Sequence, residues 1–267
     1  MLKECSCTIG FRELSWEKTL EILSNLGFRF IEGSAEIPNC HLNYFLNNPD
    51  KFSNLEESLK SYDLKVVSVM GINDFAVCKE KIKDELRKAN QQLEFAYKIN
   101  AEILRLFASH IPDYYIWEEM YTQVVNCLKW LGKRAENLGI KIAVENHGGI
   151  TATSSQVKKI LTQVNMENVG LNLDPANFQV SGQDPVKATM KLSDYTIHTH
   201  IKDCIMTDKG FRFCEIGAGL IDYHKILKIL KEKGYAGYLS LEYEDTSDPE
   251  RGTRQSLLNL RKIMKEI

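Results

Sequence analysis

The sequence has no excess charge of either sign, no long apolar run, no paired cysteine motif and no linker-like stretch, and each absence excludes something. Lys and Arg number 34 against 36 Asp and Glu, a formal net charge of −2, without a block of like charge. A nucleic-acid partner that needs a basic face is therefore not expected. No apolar stretch approaches the roughly 20 residues of a spanning helix. The start Met1-Leu2-Lys3-Glu4-Cys5 has no signal-peptide core, so neither membrane nor export is expected. The seven cysteines, Cys5, Cys7, Cys40, Cys78, Cys127, Cys204 and Cys214, show no Cys-x-x-Cys repeat and read as reduced thiols of a cytoplasmic protein. The close pair Cys5-x-Cys7 reads as small thiols packed on one strand face rather than as a soft-metal site. With 43% hydrophobic and 26% charged residues and no Pro-, Gly- or Ser-rich break, residues 1–267 read as a single packed domain.

What is present is a rhythm. Apolar clusters rich in β-branched residues alternate with amphipathic stretches, each pair taking about 33 of the 267 residues, which predicts eight βα units. The predicted strands are 3–9, 28–32, 64–70, 102–108, 140–146, 168–174, 195–201 and 238–243. Ser15 is the expected N-cap of the first helix, and Gly27, Gly139 and Gly234 each fall between a helix and the next strand. Alternating β and α elements imply a parallel sheet with right-handed crossovers, and eight of them can close into a (β/α)8 TIM barrel. The rival, an open doubly wound sheet, would favour a glycine-rich phosphate turn after the first strand. Thr8-Ile9-Gly10-Phe11-Arg12 is not one.

Strand residues alternate faces, so counting by two sorts the polar residues of the second half. Glu145 and His147 oppose Ile142 and Val144; Asn172 and Asp174 oppose Leu171 and Leu173. His198, His200 and Lys202 share a face, as do Ser240, Glu242 and Glu244 opposite Leu239 and Leu241. If the aliphatic faces pack under helices, Glu145, Asp174, His200 and Glu242 converge at the C-terminal mouth, where barrels of this kind keep their active sites. Three carboxylates in a low-dielectric cavity would take up protons unless a cation held them ionised. Oxygen-rich ligation with one imidazole suits one divalent ion, Mn²⁺, Mg²⁺, Co²⁺ or Zn²⁺. Arg105, opposite Leu104 and Leu106, is expected to point inward and pair with a carboxylate.

In order and spacing, Ala143-Val144-Glu145-Asn146-His147, Gly170-Leu171-Asn172-Leu173-Asp174, His198-Thr199-His200-Ile201-Lys202-Asp203, Ile216-Gly217-Ala218-Gly219-Leu220-Ile221-Asp222-Tyr223 and Gly237-Tyr238-Leu239-Ser240-Leu241-Glu242 resemble the sugar phosphate isomerase/epimerase family of xylose isomerase-like barrels. The resemblance implies metal ligation by Glu145, Asp174, His200 and Glu242, with Glu145 and Glu242 doubling as the acid/base pair of a ketose 3-epimerase. Two positions depart from that branch: Asn177 stands where it carries histidine, and Lys202 with Asp203 where it carries arginine. A free ketohexose substrate is thereby put in doubt.

His147, Asn177, Lys202 and His110 are the candidate substrate-binding residues. His198 reads as an interior histidine. Gly217-Ala218-Gly219 reads as a plain tight turn rather than as a phosphate cradle. Phe11, Trp16 and Trp117 are candidate pocket walls, and Trp130 is read as helix core.

The resulting expectation is a metal-dependent isomerase or epimerase of a small carbohydrate-like substrate, a ketose, sugar phosphate or relative, working by carboxylate proton transfer through a metal-stabilised ene-diolate. The alternative is a dehydratase of the same fold acting on an inosose- or dehydroshikimate-type ketone. An endonuclease IV-like nuclease stands further off, because six histidines and no basic excess are few for several zinc ions and a phosphate track. The resemblance leaves a homodimer or homotetramer open.

Overall fold

Eight parallel strands close the barrel predicted from the sequence. In chain order the strands are β1 Lys3–Cys7, β2 Phe30–Ser34, β3 Lys65–Met70, β4 Ile103–Phe107, β5 Lys141–Glu145, β6 Val169–Leu173, β7 Thr196–Ile201, β8 Asp203–Thr207, β9 Gly210–Cys214 and β10 Tyr238–Leu241. Around the barrel they run β1-β10-β7-β6-β5-β4-β3-β2, each parallel to its neighbours, while β8 and β9 form a separate antiparallel pair. The computed structural model describes residues 2–38, 40–109 and 117–267, except the Trp117 side chain.

The punctuation acts as its chemistry predicts. Ser15 Oγ accepts from Lys18 N at 3.2 Å and starts the helix Trp16–Asn25. Gly27, Gly139 and Gly234 take φ of +87°, +68° and +81°, the left-handed turn by which a helix chain end re-enters the sheet. The β8–β9 hairpin was not foreseen, because a strict strand–helix alternation leaves it no place. It closes through Asp208 and Lys209 with Thr207 paired to Gly210, a two-residue turn signal.

Outward-facing Leu104, Leu106, Ile142, Val144, Leu171, Leu173, Leu239 and Leu241 belong to the large apolar cluster shared with the helices. Each such side chain contributes about 1.5–3 kcal/mol on burial. Inside the barrel, Cys5, Val67, Ile103, Ala143 and Tyr238 form a smaller apolar plug toward the strand starts. Polar residues follow two positions later on several of these strands, so the interior changes from apolar to polar toward the C-terminal end. A register shift pairs Ile31 with Val66 but Glu32 with Ser68, leaving Val67 as an extra residue and re-aiming β3.

Trp130 is a correction to the sequence reading. It is 42% exposed, with the Arg134 guanidinium 5.1 Å from its ring centroid, because Val124, Leu128, Leu131 and Ala135 already form the buried stripe of its helix. The seven cysteines are free, and only Cys78 is exposed. Cys5 and Cys7 are buried thiols whose pKa values burial pushes well up, and Cys7 Sγ lies 3.4 Å from Met70 Sδ. Among the described residues no helix is long and apolar enough to cross a membrane.

Candidate metal centre and active site

The strand ends deliver the four predicted ligand residues to one place. Glu145 closes β5, Asp174 follows β6, His200 lies in β7, and Glu242 follows β10, its N–H donating to Ile201 O at 3.0 Å. The register sets Glu145 beside Asn172, Asn172 beside His198, and His200 beside Ser240, so one polar face runs round this side of the interior.

His200 is the hub. Its Nδ1 lies 3.3 Å from Glu242 Oε2 and 3.5 Å from Glu145 Oε1, and its Nε2 lies 2.9 Å from Glu32 Oε2. Burial alone would lower the imidazole pKa, but Glu242, Glu32 and Glu145 hold it well above the ordinary value. Ligand atoms of Glu145, Asp174 and His200 all lie within 4.8 Å of one another. Asp174 is fixed as the N-cap of the helix Pro175–Val180, its Oδ1 accepting from Asn177 N at 3.0 Å, which leaves Oδ2 turned to the site. Asn146 locks the strand ends together by bonding both Asp174 N and Asp174 O at 2.8 Å.

Two cations brace the carboxylates. Arg105 Nε lies 3.0 Å from Glu145 Oε2, while Nη2 donates to Glu36 Oε2 at 2.7 Å and Nη1 to Gly71 O at 3.1 Å. Lys202 Nζ lies 3.1 Å from Asp174 Oδ2, 3.1 Å from Glu242 Oε2 and 2.7 Å from Glu244 Oε1. Against burial, Arg105 and then His200 hold Glu145 far below the usual carboxylate range. Lys202 and then His200 likewise overcome burial to push Glu242 down to about 2. Asp174 goes the other way, up to about 6, because burial and the charges on Glu145 and Glu242 outweigh Lys202.

The donor set fits a divalent ion. Asp174 Oδ2, His200 Nδ1 and Glu242 Oε2 are buried and make no hydrogen bond of good geometry, and the Lys202 ammonium, 3.1 Å from both carboxylate oxygens, shows that a cation is accommodated where their charges meet. Three carboxylates and one imidazole at a strand-end mouth are a borderline-to-hard set suited to Mn²⁺, Mg²⁺, Co²⁺ or Zn²⁺. Beside them opens a cavity of about 90 Å³ lined in part by Ile9, Met70, Phe107, His147, Lys202 and Glu242.

A family model described as "Xylose isomerase-like TIM barrel" matches residues 20–263. The chain belongs to that family. Among its relatives, an inosose dehydratase of Clostridium botulinum (strain Alaska E43 / Type E3) is 31% identical over 147 residues, 49% of this chain and 49% of that protein, so the match spans about half of either chain. Two solved structures share the xylose isomerase-like fold. The IOLI protein with a binding zinc atom superposes with a TM-score of 0.85 at 21% identity, covering 99% of both chains. A D-tagatose 3-epimerase-like protein gives 0.81 at 21% identity, covering 99% of this chain and 97% of its own.

Within this xylose isomerase-like barrel the remaining predicted residues separate. His147 lines the cavity with its ring centroid 4.8 Å from that of Phe107. Asn177 donates from Nδ2 to Glu145 Oε1 at 2.9 Å, so its amide faces the carboxylate. His110 lies outside the described residues, as does the Trp117 side chain. Phe11 and Trp16 are corrections: both are buried in the main apolar cluster, Trp16 donating from Nε1 to Ser58 Oγ at 2.8 Å, and among the described residues the aromatic wall of the cavity is Phe107.

The glycine turn proves to be a cradle for this chain's own carboxylate. Asp203 Oδ2 accepts from Gly217 N and Gly219 N at 3.0 and 3.1 Å, and Oδ1 from Cys204 N and Ile221 N at 2.8 and 3.1 Å. A Cβ at position 219 would collide with that carboxylate. The residue that sequence reasoning missed is Glu32, although Phe30-Ile31-Glu32-Gly33-Ser34 carries one acidic side chain in an otherwise uncharged strand, a legible signal.

Proposed function

We propose that the chain is an enzyme that holds one divalent metal ion on Glu145, Asp174, His200 and Glu242 and removes the proton beside the carbonyl of a small polyhydroxy ketone. The observation that carries this reading is the gathering of Asp174 Oδ2, His200 Nδ1, Glu145 and Glu242 Oε2 in one buried cluster at the strand ends, with Glu145 and Glu242 lining a cavity beside it. When bound, the ion supplies the positive centre that polarises the carbonyl and offsets charge developing on its oxygen.

Glu242 and Glu145 come from staves three apart and both line the cavity, which supports their approach to a flat substrate from opposing faces. Both are ionised at neutral pH, the state a proton acceptor needs. Glu145 is held at both oxygens, by Asn177 at Oε1 and Arg105 at Oε2, whereas Lys202 and His200 both approach Glu242 at Oε2. Glu242 is therefore assigned as the group that takes the proton and passes it to solvent, and Glu145 as the opposing group that takes up a proton from solvent and returns it to carbon in an epimerisation. Lys202 and His147 are assigned to the substrate's hydroxyls.

A second reading, loss of water, is favoured by Lys202. Its protonated ammonium borders the cavity and can deliver a proton to a hydroxyl leaving from the carbon beyond the deprotonated one, while the carbanion pair forms the carbon–carbon double bond. The inosose dehydratase relative supports the same fate. The deciding experiment incubates the protein, loaded in turn with Mn²⁺, Mg²⁺, Co²⁺ or Zn²⁺, with ketoses, sugar phosphates and inososes. Products of unchanged mass support epimerisation or isomerisation, and products lighter by one water support dehydration. No metal uptake and no turnover across the panel would overturn both.

A further inference from the structure

Below the mouth lies a carboxylate for which the proposed chemistry has no use. Glu32 of β2 has no exposed surface, yet groups from three other strands meet its two oxygens. Ser68 Oγ of β3 donates to Oε1 at 2.8 Å, and Ser240 Oγ of β10 donates to Oε2 at 2.6 Å. His198 Nε2 lies 3.3 Å from Oε1 and His200 Nε2 lies 2.9 Å from Oε2, both from β7. The bulge at Val67 is what brings Ser68 opposite Glu32. An isolated carboxylate at this depth would be strongly unfavourable, so the surrounding donors are a site built for its charge.

We propose that Glu32 is a positioning residue: it grips His200 at Nε2 so that Nδ1 faces Glu145, Asp174 and Glu242, and its negative charge strengthens Nδ1 as a metal ligand. The proposal rests on reading His200 as a ligand. An imidazole can turn half a revolution about its last torsion with little change in shape, so packing alone does not choose which nitrogen faces the mouth. The hydrogen bond from Nε2–H to Glu32 chooses it. A carboxylate behind a ligating histidine also raises the basicity of the imidazole, and loss of such a partner typically weakens metal binding about 10- to 100-fold. Direct metal ligation by Glu32 is disfavoured because hydroxyls already donate to both of its oxygens.

The test compares Glu32→Gln and Glu32→Ala with wild type, and uses Ser68→Ala as a control that leaves Oε2 and His200 in place. Zn²⁺ affinity is read by competition with a chromophoric chelator, stoichiometry by elemental analysis, folding by circular dichroism, and the His200 ring N–H by ¹⁵N-resolved NMR of the metal-free protein. Wild type is expected to take up one equivalent and to show a slowly exchanging, downfield Nε2–H. Glu32→Gln is expected to weaken Zn²⁺ about tenfold and Glu32→Ala about 100-fold with loss of that proton signal, while Ser68→Ala stays near wild type. If the alanine variant does not fold, the isosteric glutamine variant decides by its affinity. Unchanged affinity and an unchanged ring proton in a folded Glu32 variant would overturn the proposal. So would two equivalents in wild type falling to one in Glu32→Gln, which would make Glu32 itself a ligand. If wild type binds no Zn²⁺, the metal reading of the mouth has failed, and the ring proton alone decides whether Glu32 orients His200.

Discussion

Arg105 Nε stands 3.0 Å from Glu145 Oε2, and the two side chains are 0% and 2% exposed. The same guanidinium reaches Glu36 from the loop after β2 and lies 4.3 Å over the Phe107 ring. A single cation thus fixes the orientation of a proposed ligand, the aromatic wall and a loop at the cavity rim.

Replacing Arg105 should therefore cost stability as well as function. Arg105→Ala leaves Glu145 buried without its strongest cationic neighbour, a change expected to destabilise by about 3–5 kcal/mol. Arg105→Lys keeps the charge but loses the fork that spans Glu145, Glu36 and Gly71, so a smaller loss is expected. Urea unfolding of metal-free protein measures both, and an alanine variant with the wild-type midpoint would contradict the assignment.

His200→Ala and Asp174→Asn should each abolish stoichiometric metal uptake while leaving the barrel folded. His200 supplies the only nitrogen of the proposed set, and the amide of asparagine offers a neutral donor where three carboxylates balance the ion. Elemental analysis after dialysis, alongside circular dichroism, gives the answer. A full equivalent retained at unchanged affinity in either variant counts against that residue as a ligand.

Metal binding should release protons, and the pH dependence follows from the site's own pKa shifts. Burial and its carboxylate neighbours push Asp174 up to about 6, so below that pH the ion must displace its proton and affinity should fall with acidification. The raised pKa of His200 means that Nδ1 also loses a proton on ligation at neutral pH. In the metal-free protein the sign is opposite for Asp174. A carboxyl whose folded pKa is raised stabilises the fold at low pH, and that contribution is lost as pH climbs from its ordinary value of 3.8 to about 6. Calorimetry in buffers of different ionisation enthalpy counts the protons. Uptake with no proton release at pH 5 to 7 would refute the scheme.

Legibility in the sequence followed physical periodicity. The eight barrel strands and the convergence of Glu145, Asp174, His200 and Glu242 were readable because a two-residue repeat sorts aliphatic from polar faces without further knowledge. The inward aim of Arg105 was readable for the same reason. Glu32 followed the same rule on β2, but its partners Ser68, His198 and Ser240 are 36, 166 and 208 residues away in the chain, and the bulge at Val67 breaks the count on β3. The fate of the glycine turn was not readable, since only the fold brings Asp203 within reach of Gly217 and Gly219.

Proton abstraction from carbon makes the last prediction, and it holds for epimerisation and water loss alike. If Glu242 takes the proton, that proton sits on a carboxyl oxygen and can exchange with solvent, so turnover in deuterated water should label product or recovered substrate at the abstracted position. A hydride shift moves hydrogen from carbon to carbon and gives no label. Glu242→Gln keeps the volume but cannot accept a proton, and a loss of about 10²- to 10⁴-fold in rate is expected, the usual contribution of a positioned base. Glu145→Gln should separate the two fates: it blocks return of a proton from the opposite side, which stops epimerisation, but leaves the first abstraction and the proton from Lys202 available for water loss. Metal content must be measured beside each rate, because both glutamates are also assigned to the ion. A fully metallated Glu242→Gln protein with normal turnover, or wild-type turnover on several substrates without any deuterium incorporation, would remove Glu242 from the role of base.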